Sequence, residues 1–157
     1  MKKKLKSLLK ECEIIICKII DNEIQSFNIN SLIKDEKVNS KDIKHIQKGI
    51  YLFSDDKDNI VYIGQGGVST STPLKNRILQ ELRNYQKTVK GSNGATLSKN
   101  IQTNDNIEFD STDKFREYIN NWKIKILDSS EFNIHIDILE SICIGIYNPK
   151  YNIKGKE

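Results

Sequence analysis

The chain has 157 residues, of which 37% are apolar and 29% charged, with a formal net charge of +4. That length makes one domain with a sizeable core and hardly two. The mixed composition excludes a disordered chain, and no apolar run approaches the ~18 residues needed to span a bilayer.

The first 20 residues, "MKKKLKSLLKECEIIICKII", combine a basic start with a later apolar stretch. Glu11, Glu13 and Lys18 interrupt that stretch and no small-residue cleavage site follows, so it reads as mature structure and not as a signal peptide. Leu5, Leu8, Leu9, Cys12, Ile15 and Ile16 recur near helical spacing, which predicts a helix over 2–20. The β-branched run Ile14-Ile15-Ile16 leaves its end open to a strand. Residues 21–47 are polar, with a short helix expected after the cap-like pair Asn39-Ser40.

Residues 49–53 and 59–64 read as two strands around "SDDKDN", a turn composition. Alternation of the pleat lets antiparallel pairing place Tyr51 and Tyr62 on one face. "QGGVSTST" reads as a loop. Pro73 then opens a helix expected over 73–87, with Leu74, Ile78 and Leu82 as its buried stripe. After the loop "KGSNG", "ATLSKNI" and "STDKFREYINN" read as short helices, the second capped by Ser111 or Thr112 with Asp113 near its start. "WKIKILD" alternates as a third strand. "NIHIDILESICIGIY" is a last helix, with Ile134, Ile138, Ser141, Ile142 and Gly145 expected on one face, ending before Pro149. The fold class is therefore α+β: a small three-stranded antiparallel or mixed sheet, hairpin plus one later strand, flanked by helices.

Cys12, Cys17 and Cys143 are an odd number without metal spacing, and His45 and His135 lie far apart. A disulfide framework and a zinc site are not expected, and the thiols read as reduced in a cytoplasmic protein. Lysines outnumber arginines 22 to 3. Because arginine suits bidentate phosphate contacts, Arg77, Arg83 and Arg116 each invite inspection. Lysines cluster at both ends, at Lys2, Lys3, Lys4, Lys6 and Lys10 and at Lys150, Lys154 and Lys156. The basic excess permits nucleic-acid binding without demonstrating it.

The triplets Gly49-Ile50-Tyr51 and Tyr62-Ile63-Gly64 resemble the signature of the GIY-YIG nuclease family. The rest of that family's pattern follows in order: Arg77 on the next helix, Glu140 on a late helix, and Asn152 in "NPKYN". The resemblance covers residues 49 to about 153. It divides the chain into an N-terminal helical extension of unknown role, 1–48, and a nuclease-like catalytic domain, 49–157. It implies cleavage of DNA, double-stranded above all, with one Mg²⁺ or Mn²⁺.

By that resemblance, Glu140 is the metal carboxylate, and a hard cation does prefer oxygen ligands. Tyr51 is the general base or orients it, although a phenol is a poor base near neutral pH without a cation beside it. Tyr62 sits near the attacking water or the phosphate. Arg77 holds the scissile phosphate, and Asn152 orients the site. Each has a plainer reading: cross-strand aromatic filling for the tyrosines, a helix-surface carboxylate for Glu140, an ion pair with Glu81 for Arg77, a turn residue for Asn152. Gly64, Gln65, Lys75 and Tyr85 are the further candidates for substrate contact.

The sequence departs from the family at two places. Glu81 stands where relatives often have His or Tyr, and it is expected to turn away from phosphate, with Tyr85 as the available substitute. Gln65 stands where many relatives carry Lys. The long segment between Gly64 and Arg77 is similar to that of restriction-enzyme members. The competing readings are a nucleic-acid-binding module of the same fold with weak or lost catalysis, and a plain α+β interaction domain. No membrane partner is expected, and the oligomeric state, a dimer included, stays open.

Overall fold

The hairpin predicted around "SDDKDN" is built by its own turn residues. Asp55 Oδ1 accepts from the backbone N–H of both Lys57 and Asn59, each at 2.9 Å. Asp58 takes the left-handed conformation, φ 63°, which Asp tolerates better than most residues. The computed structural model describes residues 2–20, 24, 26–34, 37–38, 46–67, 73–86, 95–132 and 134–152.

Among these, the elements in chain order are α1 (Lys2–Ile20), β1 (Ser26–Asn28), α2 (Ile29–Leu32), β2 (Ile33–Lys34), β3 (Lys37–Val38), β4 (Gly49–Ser54), β5 (Ile60–Gly66), α3 (Leu74–Glu81), α4 (Thr96–Asp105), α5 (Thr112–Tyr118), β6 (Lys123–Asp128) and α6 (Ile136–Tyr147). The main sheet is antiparallel with order β1-β6-β4-β5. β2 and β3 form a separate two-stranded pair.

The expected three strands are thus four. β1 was missed because three residues, Ser26-Phe27-Asn28, are too short to show alternation. Their pairing with Ile124 and its neighbours on β6 is fixed by tertiary contact. The segment before Gly49 therefore contributes to the sheet, and to both cores through Ile15, Ile29 and Leu32. The helix expected after Asn39-Ser40 and the loops at 68–72 and 90–94 lie outside the described residues.

Opposite faces of the sheet carry opposite helices. One face presents Tyr51, Phe53, Tyr62, Ile124 and Ile126 to Leu74, Ile78 and Leu82 of the α3 region and to Leu97, Ile101 and Phe115 of α4 and α5. The other presents Ile50, Leu52, Ile63 and Leu127 to Ile136, Leu139 and Cys143 of α6 and to Ile15 of α1. A bulge at Phe53/Ser54 sets Phe53 opposite Tyr62, so Tyr62 shares the face of Tyr51 and Phe53.

Three helices differ from expectation. α3 stops at Glu81, short of residue 87, because the chain turns to bury Asn84, whose Nδ2 donates to Phe109 O at 2.6 Å. α4 runs on to Asp105 and ends at Asn106 in the left-handed conformation, φ 53°, an Asn helix stop. On α6 the buried stripe is Ile136, Leu139 and Cys143, not the expected face: Ile138, Ser141 and Gly145 are exposed. Ser111 caps α5 as expected, accepting from Lys114 N–H. Among the described residues no helix is long and apolar enough to cross a membrane.

Candidate functional site

Tyr51 lies across the strand from Gly64, and this pairing explains the glycine. A Cβ on residue 64 would stand 2.4 Å from the Tyr51 hydroxyl and 2.5 Å from its Cζ. The ring therefore folds flat over the backbone of β5, and its hydroxyl points toward α3. Tyr62, diagonal to it, points the same way, with ring centroids 6.4 Å apart. The two phenols thus converge, as the pleat predicted.

They converge on Glu81. Tyr51 donates to Glu81 Oε1 at 3.0 Å and Tyr62 donates to the same oxygen at 3.1 Å. Arg77 Nη2 donates to it as well, one helical turn back on α3. The other oxygen, Oε2, accepts from Leu97 N–H at 2.7 Å. That N–H belongs to the first turn of α4, where the backbone donors have no helical partner and the dipole favours an anion. A carboxylate has about two lone pairs on each oxygen; here three donors crowd Oε1 and one reaches Oε2. Glu81 is completely buried, a position an acid tolerates only when paired and hydrogen-bonded. The expectation that Glu81 turns away is overturned: it is the centre of the cluster.

This centre sets the charge state of the phenols. Burial pushes both tyrosines up from the ordinary tyrosine value of 10.0, and the Glu81 charge pushes the same way, while Arg77 opposes. Both are therefore protonated donors near neutral pH, and Arg77 does not create a phenolate. Burial also raises Glu81 from its ordinary 4.5, against the pull of Arg77.

Glu140 sits beside the buried stripe of α6, half-buried. Burial raises its carboxyl first and Asp137 second, while Arg77 lowers it. Its charge is also felt at Tyr62 and at Cys143, whose thiol is pushed up to about 12, mainly by burial. Glu140 makes no hydrogen bond or ion pair with the described residues. A half-buried carboxylate whose oxygens meet no donor among the described residues suits one hard cation completed by water and phosphate oxygens. Glu81 does not, since it is completely buried and both its oxygens already accept hydrogen bonds from the protein. Among the described residues no group of three or more His, Cys, Asp or Glu stands together as a metal cage.

Asn152 fixes the strand from outside. Its Oδ1 accepts from Ile63 N–H and its Nδ2 donates to Ile63 O, both at 2.7 Å. β5 is an edge strand, so one side chain supplies the pairing a further strand would give. Tyr151 N–H adds a bond to Val61 O at 2.8 Å.

The remaining candidates do not join the cluster. Gln65 lies on the α6 side, with Nε2 donating to Asp137 Oδ1 at 2.9 Å and Oε1 buried without a donor among the described residues. Lys75 is exposed on α3. Tyr85 does not substitute for the expected His or Tyr: it lines a separate cavity of about 660 Å³ with Lys99, Gln102 and Phe109. Of the terminal lysines, Lys150 is paired with Asp105 at 2.8 Å. No family model matches this chain, and neither does any curated protein or solved structure.

Proposed function

We propose that this chain is a DNA endonuclease that hydrolyses phosphodiester bonds with one divalent cation. The observation that carries this reading is the convergence of Tyr51, Tyr62 and Arg77 on one point, within electrostatic reach of the half-buried Glu140, which has no hydrogen-bond or ion-pair partner among the described residues. Three donor side chains and a cation-ready carboxylate are the parts that phosphoryl chemistry asks for. Glu140 would hold the Mg²⁺ or Mn²⁺, which would neutralise phosphate charge and make water easier to deprotonate. Arg77, with 25% of its side chain exposed, would contact the scissile phosphate. Asn152 would keep the Tyr62 strand in register. A cytoplasmic setting accords with three free cysteines, and double-stranded DNA with the basic excess.

A second reading rests on Glu81. Its ion pair with Arg77 competes with phosphate for the guanidinium, which favours a nucleic-acid-binding module with weak catalysis. Incubating the purified chain with supercoiled plasmid, with and without Mg²⁺ or Mn²⁺, alongside a gel-shift titration, separates the two. Metal-dependent nicking supports the endonuclease. Binding with no nicking under any divalent cation supports the module, and neither binding nor nicking ends both.

A further inference from the structure

The cavity of about 660 Å³ is walled by one face of α4, where Lys99, Gln102, Thr103 and Asn106 recur at helical spacing, and by the rings of Tyr85 and Phe109. A buried polar network behind these walls holds them in place. Asn84 Oδ1 accepts from Ser98 Oγ at 2.9 Å and from Gln102 Nε2 at 3.1 Å, and Asn84 Nδ2 donates to Phe109 O at 2.6 Å. Ser98 Oγ in turn accepts from Tyr85 N–H at 3.2 Å. Ser98 and Asn84 are buried, so both aromatic walls are tied to α4 from the inside.

Several polar groups of the lining are unspent. Gln102 Nε2 also donates to Tyr85 O at 3.2 Å. A carbonyl only accepts, so this nitrogen is fixed against the wall and Oε1 is left over as an acceptor. Neither that oxygen, nor the Asn106 amide, nor the Tyr85 hydroxyl has a hydrogen-bond partner among the described residues. The Lys99 ammonium meets no acid among them either. It lies over the Tyr85 ring, 5.3 Å from its centroid, where the face of the ring attracts a cation. Of the lining residues Glu108 alone is acidic, and it is exposed.

We propose that this cavity binds a nucleotide. The base stacks on the aromatic walls, Gln102 Oε1 and the Asn106 amide meet its edge, and Lys99 meets its phosphate. The volume lies within the range of small-molecule sites, roughly 300–1,000 Å³. A nucleotide uses every group: a neutral sugar leaves the ammonium without a counter-charge, and an acidic peptide leaves the flat rings unused. A base stacked on Tyr85 takes the place of the Lys99 ammonium over that ring and frees it for phosphate. The cavity adjoins the Glu81 cluster, because Tyr85 follows Glu81 by four residues and Leu97 N–H, which donates to Glu81, lies one turn before the Gln102 face of α4. Gln102 is roughly 8 Å along the helix from Leu97, about two base steps of a DNA strand. A nucleotide in the cavity is therefore either free or an unpaired one in a bound strand. The inference does not depend on cleavage.

The test titrates the full chain, by calorimetry without divalent cation, with the four deoxynucleoside 5′-monophosphates, the matching deoxynucleosides and ribose 5-phosphate. Gel shifts add a paired duplex and the same duplex with one unpaired base. At least one monophosphate should bind about tenfold or more tightly than ribose 5-phosphate, the scale of stacking one base. Tyr85→Ala should lose about tenfold, and Tyr85→Phe, which keeps the ring, should stay within about threefold of wild type. Lys99→Ala should weaken the monophosphate but not the deoxynucleoside, and should flatten the salt slope of log affinity by about 0.7, one phosphate contact on a single strand. An advantage for the unpaired-base duplex that disappears in Tyr85→Ala assigns the site to a DNA strand. Monophosphate binding without that advantage assigns it to a free nucleotide. The inference is overturned if no monophosphate outbinds ribose 5-phosphate and the unpaired base brings no advantage, or if Tyr85→Ala and Lys99→Ala both bind as wild type does. Lys99 is exposed, so its variant keeps the test decisive if Tyr85→Ala fails to fold. A chain that passes this test and nicks no plasmid loses the endonuclease reading alone.

Discussion

Asn152 and Ile63, 89 positions apart in the chain, form a closed two-point pair: Oδ1 accepts from the Ile63 N–H and Nδ2 donates to the Ile63 carbonyl. Ile63 stands between Tyr62 and Gly64, so this one side chain holds both partners of Tyr51 at the sheet edge. Asn152→Ala should cost about 1–3 kcal/mol, the scale of leaving part-buried backbone groups unmatched. Asn152→Asp keeps the acceptor but sets a carboxylate oxygen against the Ile63 carbonyl, and should cost at least as much. Urea denaturation of the three proteins checks this. Equal midpoints would mean that solvent replaces the asparagine at no loss.

Gly64 should tolerate no side chain while Tyr51 is present. The space for a Cβ is taken by the Tyr51 hydroxyl, Cζ and Cε2, at 2.4, 2.5 and 2.7 Å. Gly64→Ala should destabilise by about 1–3 kcal/mol, as overpacking does. Tyr51→Phe should give no relief, because two of the three crowding atoms remain. Tyr51→Leu should relieve it, so the double variant should be less destabilised than the sum of the singles. Strict additivity would show that the ring moves aside freely.

The hairpin, the third strand of the expected set and the convergence of the tyrosines were legible because period-2 alternation and turn chemistry are local signals. β1 was not, since three residues carry no period. Glu81 was legible but misread. It follows Leu74 by seven and Ile78 by three, which places it on the buried stripe of α3. The charge made it look like a surface partner for Arg77. The donors that make its burial tolerable come from β4, β5 and the start of α4, which no local pattern connects. The α6 face was misjudged because isoleucines crowd that helix all round, and periodicity cannot choose among them.

Glu81 should leave a mark on stability against pH. A carboxyl whose folded value is raised binds its proton more tightly folded than unfolded. The stability it contributes is therefore full below the ordinary 4.5 and lost as pH rises toward the folded value. Wild type should lose stability relative to Glu81→Gln as pH climbs from about 4.5, then level off. Asp55 and Asp105, both lowered, act in the opposite sense and are common to both proteins, so the difference isolates residue 81. Thermal melts across pH 4–8 read it. A difference that grows in favour of wild type over that range would mean that Arg77 and the tyrosines outweigh burial.

Glu140 and Arg77 should separate chemistry from architecture. Glu140 has no protein partner among the described residues and lies beside, not within, the buried stripe of α6. Glu140→Ala should therefore leave stability within about 0.5 kcal/mol. It should reduce cleavage by at least ~10³-fold and keep or raise DNA affinity, since a negative charge near phosphate is gone. Arg77→Ala should lose cleavage, affinity and also stability, because it leaves Glu81 buried beside one fewer donor. Breaking a fully buried pair costs about 3–5 kcal/mol, and with Arg77 25% exposed the loss should fall at or below the lower end. Adding Glu81→Gln to Arg77→Ala should restore much of the stability by removing the stranded charge, but none of the cleavage. Plasmid nicking, gel-shift affinity and denaturation midpoints for these four proteins decide the matter. Wild-type nicking by Glu140→Ala would make Glu140 an ordinary helix carboxylate. A double variant as unstable as Arg77→Ala would show that Arg77 is held for its packing and not for its charge.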